Sequence, residues 1–185
     1  MSSPNNHNDQ TPPKSLILSQ PYRFTILLLF ALTTFFNGCA WSLFDPLEEL
    51  LLTTYDLDPI HIDYMSYIFM LAYLPMHFPS IYILEYKGLK LGVILGTIFS
   101  VVGAWIKCAL NNDFKYAIIG QTLMAIGHPF LFNSPSLLSA EWFSDDERVI
   151  ASMIGYNSSI SGNALGFYLP SWFLHDISNI SKSKE

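Results

Sequence analysis

Five stretches of the chain contain no Asp, Glu, Lys or Arg: Phe24 to Phe44, Tyr64 to Leu84, Leu91 to Ile106, Tyr116 to Ala140 and Val149 to Leu174. A run of about 21 residues, at roughly 1.5 Å rise each, crosses the roughly 30 Å hydrocarbon layer of a membrane. In hydrocarbon every backbone N–H and C=O has to be satisfied within its own segment, so such runs fold as helices. The pattern predicts an all-α, polytopic transmembrane bundle of five helices over about 22–44, 62–84, 90–110, 115–140 and 148–174, within a membrane domain at 21–175. Only 13% of the 185 residues are charged and mean hydropathy is +0.32. Folded in water, five such runs would leave more apolar surface than a monomer tolerates.

The flanks read differently. Residues 1–20 are rich in Ser, Asn, Gln and Pro without periodicity and are expected to form a disordered tail, while 176–185 form a polar carboxy-terminal tail. The first apolar run starts too late and continues too long for a signal peptide, so it is expected to stay in the mature protein. With a net charge of −6 and a pI near 5.2, the chain lacks the basic stripe that phosphate contacts need, which excludes nucleic acid as a partner. Cys39 and Cys108 have no CxxC pair or His at ligand spacing, so neither a disulfide framework nor a metal site is expected, and nothing calls for a cofactor. The spans hold no paired carboxylates, phosphate-cradling glycine loop or activated nucleophile, so the chain does not read as an enzyme.

Within the spans, Pro75, Pro79, Pro129 and Pro135 predict kinks whose freed carbonyls neighbouring helices can satisfy. Gly92, Gly96, Ser100 and Gly103 recur near helical spacing, as do Gly155, Ser158, Ser159, Gly162 and Gly166. These faces let backbones approach closely and predict that the third and fifth helices lie inside the bundle. Lys107, at the end of the third span, is expected to snorkel toward the interface. Placing the amino end in the cytoplasm puts Lys14, Arg23, Lys87, Lys90 and Arg148 inside, and leaves the acidic connection from Asp45 to Asp63 outside. The carboxy end then lies outside, where the Asn179-Ile180-Ser181 sequon is reachable. Asn157-Ser158-Ser159 sits within a span and is not.

The turn between the second and third spans reads Leu84-Glu85-Tyr86-Lys87-Gly88-Leu89-Lys90. Gly88 permits a tight joint, Glu85 can pair with a base across helix ends, and Lys87 and Lys90 hold the loop on the cytoplasmic side. The turn resembles the D-x-[RK]-x-G-x-[RK] signature of the major facilitator superfamily, with Glu85 replacing Asp. A generic basic turn is the alternative. Further along, Ile62-Asp63-Tyr64-Met65-Ser66, Met70-Leu71-Ala72-Tyr73-Leu74-Pro75, Gly103-Ala104-Trp105-Ile106-Lys107, Gly120-Gln121, Pro135-Ser136, Trp142-Phe143 and Gly166-Phe167-Tyr168-Leu169-Pro170 follow in one colinear order. Together they resemble the feline leukaemia virus subgroup C receptor-related transporters from about Tyr22 to Pro170. That resemblance implies a twelve-helix fold in two six-helix halves, of which this chain matches five helices of the amino-terminal half. It also implies movement of choline, ethanolamine or haem.

Trp41, late in the first span, offers an aromatic face suited to a quaternary ammonium at about 0.5–2 kcal/mol per ring. An interfacial or packing tryptophan is the alternative, and the resemblance favours the solute-contact role. Asn37 lies on the same helix. His128, central in the fourth span, is ionisable where ionisable groups are expensive and normally face a cavity or a partner. Its structural alternative is a bond to a carbonyl freed by Pro129, and His77 reads as structural. Asn157, with Ser158, Ser159, Ser161 and Asn163, makes the fifth span polar enough for either a cavity face or interhelical bonding. The candidate substrate-binding residues are thus Trp41, His128, Asn37 and Asn157.

No Asp or Glu lies inside a span and no arginine lies in the fourth, which points to facilitated alternating access rather than proton coupling. The expected partners are a small organic solute, the lipid bilayer, and a missing carboxy-terminal half or another membrane subunit. A truncated, non-transporting assembly or binding subunit is the second reading. The plasma membrane is the expected location, with a mitochondrial or other internal membrane as the alternative.

Overall fold

The computed structural model describes residues 21–56, 58–111 and 113–182, with side chains described through 173 apart from Asn111, and among them the secondary structure is helical. The tail expected at 1–20 and the Asn179 side chain lie outside the described residues. The elements are α1 (Tyr22–Ser42), a 3-10 turn (Asp45–Leu47), α2 (Glu48–Tyr55), α3 (Pro59–Tyr82) and a π-helical turn (Ile83–Lys87). Then follow α4 (Leu89–Lys107), a second 3-10 turn (Cys108–Asn111), α5 (Phe114–Phe132), α6 (Ser134–Trp142) and α7 (Asp145–Lys182).

The bundle has five membrane helices, the fourth made of α5 with α6. Among the described residues three helical runs, Tyr22–Tyr55, Pro59–Lys87 and Leu89–Leu110, are long and apolar enough to cross a membrane by length and composition. Of the remaining two, α5 carries Gln121 and His128 within its run, while α7 opens on Asp145, Asp146 and Glu147 and holds a run of Asn and Ser.

Packing follows the small residues. Gly38 of α1 meets the backbone of Ser159, Gly162 of α7 meets that of Phe35, and Gly166 meets that of Cys39, so α1 and α7 lie backbone against backbone. The same contact joins α4 to α5. A Cβ added at Gly103 would stand 2.5 Å from the Gly120 carbonyl oxygen, and one at Gly127 would stand 2.8 Å from that of Gly96. Where no side chain intervenes, dispersion and weak Cα–H···O contacts add up along the helix pair.

These small faces are buried, but the helices that carry them are not enclosed as expected. Ile94, Ile98, Val101 and Trp105 of α4, and Val149, Met153 and Ile160 of α7, are exposed on the opposite sides. A small-residue stripe fixes one contact face, and the rest of each helix stays apolar toward the outside.

The single helix expected over 115–140 is divided at Asn133. Pro135 has no N–H to give the carbonyl of Leu131, so the ladder stops, and the Asn133 N–H turns back to Pro129 O at 3.0 Å while Ser134 Oγ donates to Phe130 O at 2.5 Å. Lys107 also departs from expectation. Its ammonium donates to Ala40 O at 3.1 Å and stands 5.3 Å from the Phe44 ring centre, so it closes the end of α1 instead of reaching outward. At the other end, Gly88 joins the π-helical turn to α4 with φ 97°, a conformation that side chains with a Cβ rarely adopt.

Candidate functional site

Three of the four candidate residues converge. α1 carries Asn37 and Trp41 one turn apart, and α5 brings His128 across to both. Asn37 and His128 are both buried, with Nδ1 of His128 2.7 Å from Oδ1 of Asn37. The Asn37 amide donates to Ser100 Oγ at 2.9 Å, and Ser100 donates to Gly96 O at 2.8 Å. Because this chain uses the Asn37 nitrogen as donor, its oxygen is the acceptor for His128. Nδ1 therefore carries the ring hydrogen and Nε2 is left with a lone pair. His128 is thus oriented by a side-chain amide on another helix, not by the carbonyl that Pro129 frees.

Aromatic rings surround this core. Trp41 stacks on Phe69 of α3 with ring centres 5.1 Å apart and planes 3° from parallel. His128 meets Trp41 and Phe69 near-perpendicularly, each at 5.4 Å, and lies 5.4 Å from Phe132. Tyr73 approaches Phe132 edge-on at 6.0 Å. Trp41, Phe69, Tyr73, Leu74, His128 and Phe132 line an open groove of about 480 Å³ that is almost wholly apolar. Stacked and edge-on rings of this kind are favoured by the quadrupole of each ring; Phe69 and His128 are buried, so the accessible ring surface, whose faces carry the negative potential that attracts cations, comes from Trp41, Tyr73 and Phe132.

The indole N–H of Trp41 reaches Ser66 O at 3.4 Å, and Gln121 Nε2 donates to Met65 O at 2.9 Å and Trp41 O at 3.3 Å. These bonds tie the end of α1 to α3 and α5, so the indole is positioned from two helices. Asn157 does not join the cluster. It is exposed, and its neighbours Tyr156 and Ser159 turn toward His128 instead, lining a pinch beside Asn37. Phe69, Tyr73, Phe132 and Gln121 were not singled out from sequence for the site. Only Gln121, an amide inside a charge-free run, carried a signal of its own.

The loop motif lies apart from the groove. Glu85 and Lys87 belong to the π-helical turn and Lys90 to the first turn of α4, all three exposed. The ion pair expected for Glu85 is absent among the described residues. The nearby pairs are Arg23–Glu147 at 2.8 Å and Arg148–Asp145 at 2.7 Å. Arg23 grips both Glu147 oxygens, at 2.8 and 3.0 Å, and pins the start of α1 to the start of α7.

Apolar helices in close glycine contact, with an aromatic groove around an oriented imidazole, define a polytopic integral membrane protein. The sequence profile of the Major Facilitator Superfamily matches residues 30–180, and the chain belongs to this superfamily. It is 31% identical over 161 residues to the choline/ethanolamine transporter FLVCR1 of Mus musculus, covering 86% of this chain and 28% of that protein. It is 33% identical over 150 residues to FLVCR1 of Felis catus, covering 80% and 27%. To the choline/ethanolamine transporter flvcr2a of Danio rerio it is 28% identical over 189 residues, covering 97% and 40%. The family resemblance read from the sequence is borne out. The chain spans between about a quarter and two fifths of the length of these curated relatives.

Proposed function

We propose that this chain forms one wall of a solute pathway that moves choline-like amines, or a related small organic solute, by facilitated alternating access. The observation that carries this reading is the groove in which Trp41, Phe69, Tyr73 and Phe132 surround His128. A quaternary ammonium has no N–H to donate and is best held by ring faces, at about 0.5–2 kcal/mol each. The Nε2 lone pair of His128 supplies an acceptor for a hydroxyl or a primary ammonium. Relatives that carry choline and ethanolamine in their names support the same class of solute. Asn37 acts here by orienting His128, and Asn157 plays no part in the groove. The second wall comes from a carboxy-terminal half or another membrane subunit, and the plasma membrane is the site of action.

The test is choline uptake by the full-length gene product, corrected for surface copies. Trp41→Ala lowers uptake at subsaturating choline about 2- to 30-fold, the range set by the cation–π energy. Trp105→Ala, at an exposed position on the far side of α4, leaves uptake per surface copy unchanged. Equal losses from both, or none from Trp41→Ala, would sink the proposal. In liposomes the 185-residue chain alone gives no saturable choline, ethanolamine or haem flux, because an alternating-access site needs two walls. Flux by the chain alone would favour an oligomer that builds the path from several copies.

A further inference from the structure

Below the aromatic groove lies a second cavity of different chemistry. Glu85, Asn133, Ser136 and Tyr156 line it together with three aliphatic side chains, around a volume of about 240 Å³. The two cavities are separated by the edge-on pair of Phe132 and Tyr156, with ring centres 5.7 Å apart, and by the pinch at Asn37 and Ser159. The pinch encloses about 10 Å³, at the lower limit for one water.

The lower cavity is rich in acceptors. Both amide hydrogens of Asn133 are committed, to Ser80 Oγ at 2.9 Å and to Nδ1 of His77 at 3.2 Å, and Tyr73 donates to its oxygen at 3.1 Å. What Asn133 still offers is the remaining lone pair on that oxygen. The Glu85 carboxylate has no cationic side chain within 4.0 Å among the described residues, and no Lys or Arg lines the cavity. Lys90, from the same turn, lines a separate cleft with Glu141 and Trp142. A carboxylate left unpaired at the mouth of a half-apolar cavity attracts a cation, and the aliphatic part of the lining suits one that carries methyl groups.

We propose that Glu85, Asn133, Ser136 and Tyr156 form a second station for a small organic cation, reached after it passes the Phe132–Tyr156 pair. The upper groove holds the cation by ring faces and the lower cavity holds it by charge. The inference rests on the solute class proposed above. It adds a site that differs from the groove in telling a cation from a neutral molecule of the same shape.

The experiment measures binding to the full chain in nanodiscs, with choline chloride as one probe and its neutral isostere, in which carbon replaces nitrogen, as the other. Trp41→Ala removes one binding component and leaves a second that prefers choline at least tenfold over the isostere and weakens as salt rises. Adding Glu85→Gln to Trp41→Ala abolishes that component, and Glu85→Asp retains it. Glu85→Gln alone leaves the Trp41-dependent component intact, which also shows that the protein still folds. Residual binding unchanged by Glu85→Gln, a residual that does not discriminate the isostere, complete loss on Trp41→Ala alone, or no choline binding by the chain overturns the second station. Binding wholly indifferent to Trp41→Ala defeats instead the reading of the groove.

Discussion

The seam between α4 and α5 and the groove between α1, α3 and α5 share a helix but use opposite kinds of residue. On α5, Gly120 and Gly127 face the seam, while their immediate neighbours Gln121 and His128 face the other way. The two pairs recur after two helical turns, so each face keeps its own character. At the seam the absence of side chains brings Ser100 of α4 within 2.9 Å of Asn37 of α1, and Asn37 in turn sets His128. The polar site is therefore only as well oriented as the glycine contact behind it is close.

The largest effect should come from filling the seam. A Cβ at Gly120 would stand 2.5 Å from the Gly103 carbonyl oxygen and 2.7 Å from Lys107 Cγ, and a backbone atom cannot swing aside. Gly120→Ala is expected to cost about 3 kcal/mol, at the upper end of overpacking. Met70→Ala at the exposed rim of the groove should cost within about 0.5 kcal/mol. Thermal unfolding in detergent compares them, and equal losses would mean that the seam is not the rigid side.

Asn37→Leu sharpens the comparison at an intermediate size. It strands the Nδ1–H of His128 and the hydroxyl acceptor of Ser100, at about 1–3 kcal/mol. Choline binding should weaken as well, although Asn37 touches no solute in this reading. A stable variant with unchanged binding would show that His128 does not need its partner.

How much of this was legible in the sequence depends on what each feature costs. Charges are so expensive in hydrocarbon that the five spans appear as blanks in the charge pattern, and the small-residue stripes mark the close contacts. Asn37 and His128 stand out for the same reason, as polar groups in apolar surroundings, whereas Trp41 is separated from a packing tryptophan only by the family resemblance. Asn157 did not behave as expected because helical spacing tells which residues share a face, not which face meets a partner. Phe69, Tyr73 and Phe132 were invisible because aromatics make up 15% of the chain and one more ring carries no signal. The kink expected from Pro135 takes the form of a break at Asn133, because proline lacks the N–H that would continue the ladder to Leu131.

The smallest expected effect lies at the end of the bundle, outside both regions. The Ser144 hydroxyl, and after it the Arg23 guanidinium, hold the Glu147 carboxyl below its ordinary range. A carboxyl depressed in the folded protein contributes stability above its unfolded pKa, and that contribution is lost as pH falls through the folded value. The melting temperature should therefore fall as pH drops below the ordinary glutamate range, and Glu147→Gln should flatten that slope slightly. An identical slope in the variant would remove the Arg23–Glu147 clasp from the account.

The glycine seams also bear on how the chain enters the bilayer during synthesis. Among the described residues the runs containing α1 and α4 are long and apolar enough to cross a membrane by length and composition, while α5 carries Gln121 and His128 and α7 holds a run of Asn and Ser. α4 pairs with α5 and α1 with α7, so each helix that carries these polar residues has a partner that meets it along a glycine-lined face. α5 can leave the translocon together with the helix just made before it. α7 meets α1 only across the whole intervening chain, so that contact is expected to form last.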